Sequence, residues 1–96
     1  MLSGVDIVSE LRVHKREIEE RFAVRRIGVF GSRARGTAGP ASDVDVLVEM
    51  DDPTFDRYMN LKFFLEELFQ APVDLVLTET VKPRIRPQIE REVVYA

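Results

Sequence analysis

Apolar residues in the first quarter of the chain recur at helical steps. Val8, Leu11, Ile18 and Phe22 fall on one stripe, which predicts an amphipathic helix from Val5 to Phe22 with the stem of Lys15 beside it. His14 falls roughly 80° from the centre of that stripe, the position of a boundary residue rather than a base or ligand. The rhythm then changes. Arg26-Ile27-Gly28-Val29-Phe30 is short, β-branched and aromatic and is stopped by Gly31, so it reads as a buried strand. Ser32 to Gly36 has the length of one helical turn, and Gly36 to Pro40 reads as a loop. Asp43 to Glu49 reads as a second strand, apolar except at Asp43, Asp45 and Glu49. Asp52 or Thr54 is placed to cap a helix from Phe55 to Phe69, which Ala71-Pro72 ends. Val73 to Leu77 is a third strand, and Thr78 to Pro83 a turn region. Ile85 and Ile89 keep helical spacing with Pro87 in a first turn, and Val93-Val94-Tyr95 either ends that helix or forms a last short strand.

This order predicts an α/β domain, a small mixed β-sheet with helices packed on it. Strands one and two are joined by a short link and strands two and three by a whole helix. That arrangement suits a mixed sheet better than an all-parallel one.

Composition narrows the class. Ninety-six residues make a single domain, residues 1–96, and 45% hydrophobic with 32% charged residues is the balance of a folded globular chain. The absence of cysteine removes disulfides, zinc thiolates and thiol nucleophiles, and a single histidine removes a histidine-rich metal cage. No apolar run reaches the ~20 residues of a membrane span and Met1–Ser3 opens no signal peptide, so a cytoplasmic setting away from membranes is expected. Net charge is −3, unevenly laid out: residues 1–40 hold eight basic and five acidic side chains, residues 41–80 two basic and ten acidic, and residues 81–96 four basic and two acidic. An acidic middle between basic flanks suggests a cation site beside an anion site. A pI near 5.2 argues against a nonspecific nucleic-acid binder.

The acids that interrupt apolar strands are the candidates for chemistry. Asp43 and Asp45 share a strand face, roughly 6.5–7 Å apart at Cα. They are either two solvated acids at a strand end or a pair held by an oxygen-seeking cation such as Mg²⁺ or Mn²⁺. Asp74 is another lone acid in an apolar strand. If strands two and three are neighbours, it lies within ~4.8 Å of the pair's strand, and three carboxylates there suit a two-metal phosphoryl-type transfer. Gly31-Ser32 ends the first strand: glycine admits a ligand to the backbone, and serine can open a turn whose N–H groups face an anion. Arg33 and Arg35 follow, as phosphate contacts or as surface ion-pair partners. The P-loop pattern is absent. Glu49 shares parity with the pair but lies further along, and reads as a structural or solvated acid. Ser42 reads as a support for the Asp43 loop.

Together these residues carry a resemblance. Phe30-Gly31-Ser32-Arg33-Ala34-Arg35-Gly36, followed by Ser42-Asp43-Val44-Asp45-Val46-Leu47-Val48, resembles the signature of the DNA polymerase β-type nucleotidyltransferase superfamily and its minimal nucleotidyltransferase branch. Val73-Asp74-Leu75-Val76 falls where that family keeps its third acid. The resemblance implies a polymerase β palm-like fold and nucleotidyl transfer from a nucleoside triphosphate, ATP in the minimal branch, to a hydroxyl with two Mg²⁺ ions, Mn²⁺ being an alternative. It implies Asp43, Asp45 and Asp74 as metal-holding catalytic residues, and Gly31, Ser32 and Arg33 as triphosphate contacts. Members of this branch act as antitoxins beside helical HEPN toxins, which implies AMP transfer to a tyrosine hydroxyl of such a partner.

The helix from Phe55 to Phe69 adds to the expectation of a protein partner. Leu61, Phe64, Leu65 and Leu68 form one apolar face, with Phe55, Met59 and Phe63 nearly opposite, and such a helix wants two neighbours. Another protein would serve, or the chain's own loops and C-terminal segment; whether the chain is a homo-oligomer is left open. Two other functions are open to the same residues: transfer to a small-molecule hydroxyl, or neutralisation of a partner by contact with the acids unused. The basic side chains of Lys82, Arg84, Arg86 and Arg91 read as a solvated face.

Overall fold

The computed structural model describes residues 4–31 and 43–96. Two helices, α1 (Gly4–Val13) and α2 (Lys15–Phe22), lead into β1 (Val24–Phe30). Then come β2 (Val44–Met50), α3 (Phe55–Phe69), β3 (Val73–Leu77), a 3₁₀ turn (Thr78–Thr80), α4 (Arg86–Glu92) and β4 (Val94–Tyr95). The expected single helix over residues 5–22 is therefore two. His14 sits at φ −99°, ψ 9° between them, while the bonds from His14 N–H to the Glu10 carbonyl (3.1 Å) and from Ile18 N–H to the His14 carbonyl (2.9 Å) continue across. The opened turn re-aims the stripe, so that Ile7, Val8 and Leu11 of one helix and Ile18 and Phe22 of the other all reach the core.

The four strands form one mixed sheet in the order β3-β2-β1-β4. β1 runs antiparallel to β2 and to β4, and β2 runs parallel to β3 across the α3 crossover. Alternation divides the sheet into two faces. Val24, Ile27 and Val29 of β1, Val44, Val46 and Val48 of β2, and Val73 and Leu75 of β3 are buried in one cluster with the inward residues of α1, α2 and α3. The other face carries Arg26, Gly28 and Phe30, then Asp45, Leu47 and Glu49, then Asp74 and Val76, in matching register.

Local chemistry sets the α3 boundaries. The Thr54 side chain accepts the Arg57 N–H at 3.2 Å as N-cap, and Gln70 closes the helix in the left-handed conformation at φ 53°. Leu61, Leu65 and Phe69 face the sheet, and the Tyr58 hydroxyl donates to the Leu75 carbonyl of edge strand β3. The C-terminus forms a strand, the second of the two forms expected. Its seat depends on Gly28: a Cβ there would stand 2.8 Å from the Val94 carbonyl oxygen and 2.7 Å from a Val93 methyl. Arg26 completes the clasp, donating to the Tyr95 hydroxyl at 2.9 Å with its guanidinium 4.2 Å from the ring centre.

Candidate active site

Asp45 and Asp74 are direct register partners on the parallel β2–β3 pair. In-register residues of neighbouring strands present their side chains to the same face, with strands ~4.8 Å apart. Here it is the face away from the core. Val44 and Val46, on either side of Asp45, are completely buried, and Val73 and Leu75, on either side of Asp74, are buried too. Turning either carboxylate inward would exchange it for a core aliphatic. The hydrophobic pattern that folds the strands therefore also holds both acids on one side. Phe30 pairs with Asp45 from the β1 side, so the end row of this face reads Phe30, Asp45, Asp74.

Gly31 fits against this row. Its φ is +74°, and an added Cβ would overlap the Asp45 carboxylate, 3.2 Å from its Cγ and 3.4 Å from its Cβ. Only a residue without a side chain accepts both that backbone and that neighbour.

Asp43 is exposed and precedes β2 by one residue, so the strand starts one position later than expected. The reason is the partner strand: Val44 pairs with Val73, and the Val44 N–H bonds the Pro72 carbonyl at 2.9 Å, so the ladder begins there. Glu49 is exposed, opposite Arg26 in the register, as expected of a solvated acid. Ser32, Arg33, Arg35 and Ser42, with the expected turn and loop over residues 32–40, lie outside the described residues.

One supporting residue carries no signal in the sequence. Glu66 of α3 accepts the Val73 N–H at 3.0 Å and the Lys62 ammonium at 3.2 Å, tying the helix end to the start of β3 beside Asp74. The Val73 N–H and then Lys62 hold its carboxyl below the usual carboxylate range. Nothing in the spacing of residues 66 and 73 announces this bond, because it depends on how the chain turns at Ala71-Pro72.

Carboxylate oxygens gathered on one face at a strand end are a donor set of the kind Mg²⁺ and Mn²⁺ take. Among the described residues no three acidic or histidine side chains are drawn into one metal-ready cluster. Asp45 and Asp74 stand side by side in the register, and Asp43 stands just beyond the ladder. Among the described residues, grooves open elsewhere on the surface. One lies between α2 and α3, and another is lined by Arg25, Glu49, Asp51, Thr78 and Arg86 at the opposite end of β2 and β3. Neither is lined by the three aspartates.

The nucleotidyltransferase domain family matches residues 11–96, and the chain belongs to it. It is a nucleotidyltransferase enzyme of the minimal type. It is 46% identical over 96 residues to the protein adenylyltransferase MntA of Thermococcus cleftensis, covering 99% of this chain and 97% of that one. A solved structure of an inferred minimal nucleotidyltransferase superposes at TM-score 0.75 with 35% identity, over 91% of this chain and 93% of the other. A toxin–antitoxin crystal structure with AMP-PNP shares the fold at TM-score 0.71 and 23% identity, over 98% of this chain and 72% of the other.

Proposed function

We propose that this chain is a protein adenylyltransferase that moves AMP from ATP to a tyrosine hydroxyl of a HEPN-type partner, and so acts as the antitoxin of a toxin–antitoxin pair. The observation that carries the reading is the register of Asp45 with Asp74 on the open face, with Gly31 against Asp45. The similarity to a protein adenylyltransferase along almost the full length of both chains supports AMP as the transferred group and protein as the acceptor. An antitoxin fold solved beside its toxin with an ATP analogue supports the partner class.

In this reading Asp43, Asp45 and Asp74 would hold the metal ions. Bound Mg²⁺ would neutralise the triphosphate and stabilise the departing charge. Gly31 lets the triphosphate approach the backbone at the end of β1, with Ser32 and Arg33 as the expected phosphate contacts. The acceptor oxygen forms a bond to the α-phosphorus, the bond from that phosphorus to the bridging oxygen breaks, and pyrophosphate leaves. Asp74 is exposed on the sheet's edge strand, and in this reading it would lie nearest the acceptor and receive the hydroxyl proton.

The test is transfer itself. ATP labelled at the α-phosphate, Mg²⁺ and the product of the neighbouring gene should give label on that product, with release of pyrophosphate. EDTA should abolish it. Protection of cells from the partner without any label on it would instead identify contact as the means of neutralisation.

A further inference from the structure

β3 lies at the edge of the sheet, beside β2. Along a strand the backbone groups of successive residues turn alternately to its two sides. The Pro72 carbonyl takes the Val44 N–H at 2.9 Å, so the groups of Pro72 and Asp74 turn toward β2, and those of Val73, Leu75 and Leu77 turn to the open edge. Side chains occupy that edge. The Glu66 carboxylate accepts the Val73 N–H at 3.0 Å, the Tyr58 hydroxyl donates to the Leu75 carbonyl, and the Thr80 hydroxyl donates to the Leu77 carbonyl at 2.9 Å.

Two of these bonds come from α3 and straddle Asp74: Glu66 holds the residue before it and Tyr58 the residue after. The later helix residue meets the earlier strand residue because the chain reverses at Ala71-Pro72, between α3 and β3. Both bonds are made to backbone. They fix the strand from which the exposed Asp74 carboxylate projects, while β2 fixes it from the other side. Glu66 is itself held, since Lys62, one turn earlier, donates to it at 3.2 Å and both side chains are partly buried. The Val73 N–H, then Lys62, keep its carboxyl below the usual carboxylate range, so it stays ionised to lower pH than an ordinary glutamate. Discouraging another chain from pairing would need only a charge or a proline on the edge. Bonds placed one residue before and one residue after a candidate site carboxylate do more. An edge strand held from one side alone is free to shift, and a shift of about 1 Å in a reacting group costs on the order of a hundredfold in rate.

We propose that Glu66 and Tyr58 are positioning residues for the transfer reaction, clamping β3 on both sides of Asp74 so that its carboxylate stays beside that of Asp45. The inference rests on the reading of Asp74 as a site carboxylate. AMP transfer to the product of the neighbouring gene should be followed in the full chain, at a temperature where thermal melts show every variant folded. Glu66→Ala should lower kcat by about tenfold and leave KM for ATP within about twofold, because the proposed triphosphate contacts lie at the end of β1. Tyr58→Phe, which removes only the hydroxyl, should act in the same direction. Glu66→Gln keeps an oxygen for the Val73 N–H and should restore most of the rate. In an Asp74→Asn background the further change Glu66→Ala should cost less than about twofold, since nothing is left to position. Amide exchange of the metal-free chain gives a second readout. The Asp74 N–H should exchange about tenfold faster in Glu66→Ala, while the amides of Gly28 and Leu47, paired between the central strands, keep the parental rate. An equal loss in both backgrounds, or parental kcat in folded Glu66→Ala and Tyr58→Phe, overturns the positioning role. Failure of the underlying reading has a different mark: Asp74→Asn itself then transfers at the parental rate, which overturns both.

Discussion

Asp45→Asn is expected to leave the chain folded and to lower AMP transfer by on the order of a hundredfold or more, the scale at which removing one preorganised electrostatic contact acts on a transition state. The substitution conserves size and planarity on a face that contributes little to the core. The aliphatics that hold β2, Val44, Val46 and Val48, are all on the other side and completely buried. Melting temperature should therefore move little. A variant that unfolds would show that Asp45 supports the fold, and one that transfers at the parental rate would remove it from the site. The readout is initial rate of label transfer at saturating Mg²⁺, beside a thermal melt of the same preparation.

Gly31→Ala is expected to damage transfer more than it damages the fold. Its cost has two separable parts. The left-handed backbone at φ +74° is unfavourable for a residue with a Cβ by about 1–2 kcal/mol. In a domain of this size that corresponds to a fall of roughly 5–15 °C in melting temperature. The second part acts on chemistry. The new methyl overlaps the Asp45 carboxylate, which is the mobile end of a side chain and yields by turning away. A carboxylate displaced by an ångström costs far more in rate than in stability, so transfer should fall by about a hundredfold at temperatures where the variant is fully folded. Parental activity in a folded Gly31→Ala chain would mean that Asp45 need not stand where it does.

Much of this architecture is legible without coordinates, for local reasons. The α3 limits at Phe55 and Phe69 and the β3 limits at Val73 and Leu77 coincide with the sequence expectation. Each is marked by a short-range device: the Thr54 cap, the left-handed Gln70 and Pro72. The mixed sheet follows from the lengths of its connections. The departures come from interactions that adjacent residues do not encode. The helix before β1 bends at His14 because two apolar stripes must meet one sheet. β1 begins at Val24 rather than Arg26 because Ala23 turns the chain with φ 55° and a bulge between Val24 and Arg26 restores the register. Gly28 looks like a weak point in a strand until Val94 and Tyr95, nearly seventy residues later, close over it.

The candidate site divides in the same way. Two acids two residues apart in an apolar strand are visible to any reader of the chain, but the spacing of Asp45 and Asp74 depends on strand order and register. A shift of one residue in β3 would have sent Asp74 into the core. Glu66, which pins that strand by its first N–H, belongs wholly to the folded state.

The pairing of those two aspartates is therefore the claim to test. Rates of AMP transfer should be measured for Asp45→Asn, Asp74→Asn and the double variant under identical conditions. If the carboxylates serve one metal–triphosphate unit, each single variant should lose most of the activity and the double variant little more, because groups that act together are not additive. Full activity in Asp74→Asn, with the fold intact, would contradict the account.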